Sequence, residues 1–286
     1  MNPDIQAFFD PHTFTITYLV SDPGTRRAVI IDPVLDYDPK SARTSTRSAQ
    51  TVLAAIAAKD LTVEWILETH AHADHLSGAQ FLKTRTGAKI AIGEHIKEVQ
   101  KVFGPIFDAK DVRADGMPFD RLLKDGETFE VGGMTIEVMY TPGHTPACVS
   151  YEIGNNVFVG DTLFMPDYGT ARADFPGGDA HALYRSIKRI LSLPSDTNLW
   201  MCHDYKAPGR DTFAWHSTVS EQRSKNVQIH EGVGENDFVA TRVARDRTLE
   251  MPVLILPSVQ VNIRAGQMPP PEADGHVYLK LPVNRL

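Results

Sequence analysis

Cysteine is almost missing from this 286-residue chain, which has only Cys148 and Cys202. Two thiols cannot build a disulfide framework or a four-cysteine zinc site; they fit a reducing compartment, and a cytoplasmic location is expected. A block of lysine and arginine is missing as well. With a formal charge of −7 the chain has no electrostatic case for binding nucleic acid or an anionic membrane surface. Long apolar runs are also absent: nothing approaches the roughly 18 residues of a spanning helix. The opening MNPDIQAFFDPHTF has neither the basic start nor the continuous apolar stretch of a signal peptide. Low-complexity tracts and short-period repeats are not found. What is present is 42% hydrophobic residues, enough for a well-buried core. These bounds leave a globular protein whose partner is a small molecule or another protein, a homodimer included.

Periodicity predicts strands at Phe14 to Asp22 and Arg27 to Val34 around a Pro-Gly turn, then a helix from Ser48 to Asp60 and a strand from Val63 to His70. A helix from about Leu76 to Arg85 and a strand from Ala88 to Gly93 follow. The pair ETFEV and MTIEVMYT is joined through Gly132-Gly133, and CVSYEI and VFVGD flank the turn at residues 154–156. Asp179 to Leu193 reads as a helix and Asn198 to Asp204 as a strand. The tail from Met268 to Pro271 is proline-rich and irregular, with HVYLKLPV beyond it expected as an edge strand. Strands and helices recurring in one chain predict sheets covered by helices.

Glu68 to Ala79 reads ETHAHADHLSGA and puts His70, His72, Asp74 and His75 into six consecutive positions. A lone histidine at a strand end is ordinarily a solvated turn residue; four ligand types in so short a span argue for something else. Three more apolar segments end in a ligand residue: MYTPGHT in His144, VFVGDT in Asp161 and LWMCHDY in His203. Each follows an expected strand, and strand ends present loops to a shared site. Imidazole and carboxylate without thiolate suit zinc, iron or manganese, so a metal centre is expected.

The order His-x-His-x-Asp-His, Gly-His, Gly-Asp and a late Cys-His-Asp-Tyr resembles the metallo-β-lactamase superfamily over most of Phe14 to Tyr205. That resemblance implies an α+β fold, an αββα sandwich with metal at one edge. It also implies one domain over residues 1–286, with the segment from about residue 230 packing onto it. One metal site would use His70, His72 and His144 and a second Asp74, His75 and His203, with Asp161 bridging. Fold alone does not decide the reaction.

The segment GDTLFMPDYGTARADFPGGDAHALYRSIKRILSLP resembles the persulfide dioxygenases of this superfamily, through Gly169, Arg172, Asp174, Phe175, Gly178, Asp179, Leu183, Tyr184 and Ser186. TPGHTPACVSY, CHDYKAPG and LILPSVQVNIRAG agree, although an extra spacing separates Asn262 and Arg264 from the family's Pro-x-Asn-x-Arg pattern. The resemblance implies one Fe(II) per chain on His70, His144 and Asp161, oxidising glutathione persulfide with O2 to sulfite and glutathione. His72, Asp74, His75 and His203 would then support those ligands instead of binding metal. The alternative is a glyoxalase-II-like thioester hydrolase that uses these four for a second metal, with two Zn. A metal-stabilised binding or sensor protein for sulfur species comes third. For substrate binding, Arg172 suits a glutathione carboxylate as well as a salt bridge to Asp174. Asp174 is expected to orient, and Tyr205 to hydrogen-bond substrate or water or to serve a structural partner. Cys148 reads as a small core residue, and Cys202 adjoins His203.

Overall fold

The computed structural model describes residues 2–285. An antiparallel meander of β1 (Asp4–Asp10), β2 (Thr15–Ser21) and β3 (Arg27–Ile31) opens the chain, followed by a hairpin of β4 (Val34–Asp38) and β5 (Arg43–Ser45). Helix α1 (Arg47–Ala58) crosses over to β6 (Thr62–Leu67), which lies parallel to β3. Next come β7 (Leu76–Ser77), α2 (Ala79–Thr86), β8 (Lys89–Gly93), α3 (Ile96–Ile106) and β9 (Arg121–Leu123). β10 (Thr128–Val131), β11 (Met134–Tyr140), β12 (Val149–Ile153) and β13 (Asn156–Phe158) form a second meander. After α4 (Ala180–Ile190), β14 (Asn198–Trp200) and β15 (His216–Thr218) complete that sheet, and α5 (Val219–Lys225), α6 (Glu235–Asp246) and α7 (Ile255–Asn262) follow.

The first sheet runs in the order β1-β2-β3-β6-β8-β9 and the second β10-β11-β12-β13-β14-β15, with β5-β4-β7 as a small third sheet. Side chains alternate across a strand, and here both faces are apolar. Leu19, Ile30, Ile66 and Ile90 point to an outer layer with Val52, Leu82, Val99 and Val259 of α1, α2, α3 and α7. Tyr18, Val29, Ile31 and Leu67 point the other way, against Val131, Ile136, Val138 and Tyr151 of the second sheet. The far face of that sheet packs Val157 and Leu199 on Leu183, Ile187, Val219 and Phe238 of α4, α5 and α6. The result is an αββα sandwich. Strands covered on both faces read as continuous apolar runs, and each fully buried Val, Leu or Ile stabilises by about 1.5–3 kcal/mol. Helix α4 shows how local sequence sets position. Asp179 caps it by accepting from the backbone of His181 and Ala182, and Leu183, Ile187 and Ile190 form its buried stripe.

Two expectations change. The helix predicted from Leu76 begins at Ala79, because Leu76 and Ser77 pair with Leu35 and Val34 as β7. HVYLKLPV forms no strand; His276 to Val283 runs irregularly and mostly exposed. No helix among the described residues is long and apolar enough to cross a membrane.

Candidate metal centre

Every ligand type singled out in the sequence lies just beyond a strand. His70 to His75 follow β6, His144 follows β11, Asp161 follows β13 and His203 follows β14. His70, His144 and Asp161 bring one ligand atom each to within 4.8 Å of one another, and so do His72, Asp74, His75 and His203. Asp161 stands between the groups. Its Oδ2 lies 4.0 Å from His70 Nε2 and 3.7 Å from His144 Nε2, and its Oδ1 lies 3.3 Å from His203 Nε2. His203 Nε2 is also 3.3 Å from Asp74 Oδ2.

Hydrogen bonds set which nitrogen faces inward. Thr69 donates its hydroxyl to Asp32 Oδ2 at 2.8 Å, so its lone pair accepts from His70 Nδ1 at 3.0 Å. His144 Nδ1 donates to the Arg172 carbonyl at 2.8 Å, and His75 Nδ1 to the Leu76 carbonyl at 3.1 Å. In all three rings Nε2 is left as the bare acceptor, the form that holds a metal. The Nε2 atoms of His70, His75 and His203, Asp74 Oδ2 and Asp161 Oδ1 are buried without a hydrogen-bond partner. Orphaned buried polar atoms are costly, and a cation in the first cluster would satisfy His70, one in the second Asp74, His75 and His203, with Asp161 between them. The residues therefore fit a metal. His72 differs. Its Nε2 lies 3.0 Å from Asp32 Oδ1 and 3.8 Å from Glu68 Oε2, outside hydrogen-bond geometry, and its Nδ1 is also unpaired.

Burial holds His70, His72 and His75 below the ordinary imidazole range, so these rings are neutral and ready to ligate. Burial pushes the Asp161 carboxyl up to about 7. At Asp74 burial pushes the same way, but His203, His75 and His72 together pull the group below its usual value. Glu68 is raised well above the carboxylate range by burial and then by the charge of Asp32.

Two glycines let the loops approach. Gly143 has φ +144°, and a Cβ there would lie 2.3 Å from Leu183 Cα of α4. Gly160 has φ +53°, and its Cβ would come within 2.7 Å of Thr69.

Sequence reading missed the groups that hold this loop. Asp32, after β3, accepts from Thr69 N at 2.7 Å and Thr69 Oγ1, and Cys202 Sγ lies 3.5 Å from it. Glu68 accepts from Ser77 Oγ. The signal available was an aspartate ending an apolar strand, IIDP, the same pattern that marked Asp161.

Of the expected substrate residues, Arg172 lines the cavity and makes the salt bridge to Asp174. It pairs with Asp174 at 2.6 and 2.8 Å and donates to the Glu250 carbonyl at 2.7 Å. Asp174 thus orients Arg172. Tyr205 stacks on His203, ring centres 5.7 Å apart, and its hydroxyl makes no hydrogen bond among the described residues. Cys148 is a buried core residue whose thiol burial pushes up to about 12. Asp74, His144 and Asp161 open into a cavity of about 1160 Å³, bounded by the β4–β5 hairpin and by Phe164, Tyr168, Tyr205 and residues 249–254.

The family model described as Metallo-beta-lactamase superfamily matches residues 13–203. The chain is 56% identical to a probable metallo-hydrolase of Burkholderia pseudomallei over 99% of both chains. It is 47% identical to glyoxylase B2 of Dictyostelium discoideum, over 99% of this chain and 97% of that one. To the mitochondrial persulfide dioxygenase ETHE1 of Homo sapiens it is 30% identical, over 93% and 90%. The crystal structure of ETHE1 from Myxococcus xanthus matches with TM-score 0.74 at 30% identity, covering 92% of this chain and 100% of that one.

Proposed function

The chain belongs to the metallo-beta-lactamase superfamily, and from that premise we propose that it is an iron-dependent dioxygenase acting on glutathione persulfide. The observation that carries this reading is the gathering of His70, His144 and Asp161, of which His144 and Asp161 open into the cavity. Two imidazoles and one carboxylate on one face are the ligand set of non-haem iron oxygenases, and an Fe(II) held there supplies the redox chemistry between O2 and the persulfide sulfur. The balanced reaction takes glutathione persulfide, O2 and water to glutathione, sulfite and two protons. The 30% identity to the human persulfide dioxygenase supports the same reaction.

The protein's own share is orientation and ionisation. Thr69 and the Arg172 carbonyl fix the His70 and His144 rings with Nε2 inward. Asp161 gives up its proton when a cation binds. Phe164 and Tyr205 wall the approach, and the free Tyr205 hydroxyl is available to a substrate atom.

A second reading, a dinuclear thioester hydrolase, is favoured by one feature. His72, Asp74, His75 and His203 form a second cluster, with Asp161 Oδ1 within 3.3 Å of His203, and the 47% identity to a protein named glyoxylase B2 points the same way. The deciding experiment is oxygen uptake by anaerobically iron-loaded protein on adding glutathione persulfide, with zinc-loaded protein alongside. Uptake with sulfite release only in the iron sample supports the dioxygenase. No uptake by demonstrably iron-loaded protein, together with hydrolysis of lactoylglutathione by the zinc form, overturns it.

A further inference from the structure

The guanidinium expected to read the substrate's carboxylate, that of Arg172, is already held by Asp174 and the Glu250 carbonyl. Another arginine of the cavity wall is spent as well. Arg242 is buried against Asp246, with its Nε 2.9 Å from Oδ1, and donates to the Thr170 carbonyl at 3.1 Å. Arg43 of β5 and Arg47 at the start of α1 also line the cavity and are exposed; Arg47 lies 3.9 Å from Asp36, and Arg43 has no carboxylate partner among the described residues. Arg245 is unpaired like Arg43 but is seated on an aromatic ring. It sits in the last turn of α6, is half-buried, lines the cavity, and has no carboxylate partner among the described residues. Its one specific contact is with a ring: the guanidinium carbon lies 5.2 Å from the centre of Tyr168.

That contact belongs to a ladder. Tyr168 is 5.4 Å from Tyr205, and Tyr205 stacks on His203 at 5.7 Å with an interplanar angle of 11°. Three steps lead from an imidazole at the metal centre to an unpaired cation at the cavity wall. Stacking on an aromatic face holds a guanidinium in one orientation while leaving its donor edge free, which lowers the ordering cost of binding a carboxylate. A single amino acid spans only about 3.3–3.6 Å along an extended chain, so a ligand that touches both ends of the ladder is peptide-sized.

We propose that Arg245, seated on Tyr168, is a carboxylate-binding subsite that recognises an anionic terminus of a peptide thiol whose sulfur lies at the metal centre. This rests on the glutathione-conjugate substrate class, which both candidate reactions share.

The test is calorimetric titration of the full chain with S-methylglutathione, which binds without turnover. Arg245→Gln is expected to weaken binding about tenfold or more, Arg245→Lys to keep part of the affinity, and the diethyl ester to bind the wild type no better than the free acid binds Arg245→Gln. Wild-type affinity in Arg245→Gln overturns the subsite; so does a lowered Tm with unchanged affinity, which would assign Arg245 to the α6 terminus alone. Absence of any titration by the wild type overturns it too. Oxygen uptake reads the other question. Lost uptake with an Arg245-dependent titration sinks the dioxygenase and leaves the subsite standing, whereas uptake with an unchanged KM in Arg245→Gln sinks only the subsite.

Discussion

Asn262 donates its side-chain amide to the carbonyl oxygen of His72 over 2.8 Å, across a separation of 190 positions. The same amide donates to the His75 carbonyl at 2.8 Å, and its oxygen accepts from Ser77 N at 2.8 Å. One buried side chain at the end of α7 thus satisfies three backbone groups of the loop that carries the ligands. The extra residue in the Asn-x-Arg region does not remove this role.

Asn262→Ala leaves two carbonyls and one N–H buried without partners, which is expected to cost about 2–4 kcal/mol of stability. It should also lower metal content, since His72 to His75 lose their anchor. Urea unfolding with metal analysis of the same sample checks both; a neutral midpoint with full metal would remove Asn262 from this role.

If the metal sits on His70, His144 and Asp161, then His144→Ala empties the site while His72→Ala retains iron. Metal stoichiometry after anaerobic loading measures this directly. Complete metal loss in His72→Ala would count against the three-ligand site and favour the dinuclear reading.

At Gly160 two effects coincide, the positive φ and the approach to Thr69. Gly126 has φ +69° with nothing within 4 Å of where a Cβ would stand, so it isolates the first effect. Gly126→Ala should cost about 1 kcal/mol, and Gly160→Ala clearly more, with weaker metal binding, because Thr69 holds both Asp32 and His70. Equal costs in thermal or urea unfolding would mean that the contact with Thr69 relaxes freely.

Arg264 grips Asp111 at 2.7 and 2.8 Å, and this hydrogen bonding holds the Asp111 carboxyl below its usual range. A carboxyl lowered by folding adds stability that is present above its unfolded value and lost as pH falls through the folded one. Asp111 is 36% exposed, so solvent screening limits the effect to about 1 kcal/mol at neutral pH. Asp111→Asn should therefore destabilise near pH 7, and the difference from wild type should shrink as the pH drops below the carboxylate range. Paired urea titrations at the two pH values read it; a constant difference would trace the loss to packing.

The apolar runs Thr15 to Ser21, Arg27 to Ile31 and Thr62 to Leu67 were legible because strands buried on both faces leave a continuous signature that any window of the chain contains. The same holds for His70, His144, Asp161 and His203, each marked by its place after such a run. β7 was not legible: Leu76 and Ser77 carry helix-compatible residues, and only pairing with β4 draws them into a strand. HVYLKLPV has strand-forming residues but finds no partner strand among the described residues.

By itself, then, the amino-acid order determined the layers and the pool of metal-ligand types, since both depend on spacings within a few residues. The tertiary structure decided how that pool divides, with Asp161 between two clusters and His72 beside Asp32. It also decided that Arg172 is bound to Asp174 while Arg245 is left facing the cavity. Such choices turn on which groups meet across tens to hundreds of positions, and a charge reveals whether it is free or paired only when its neighbours in space are known.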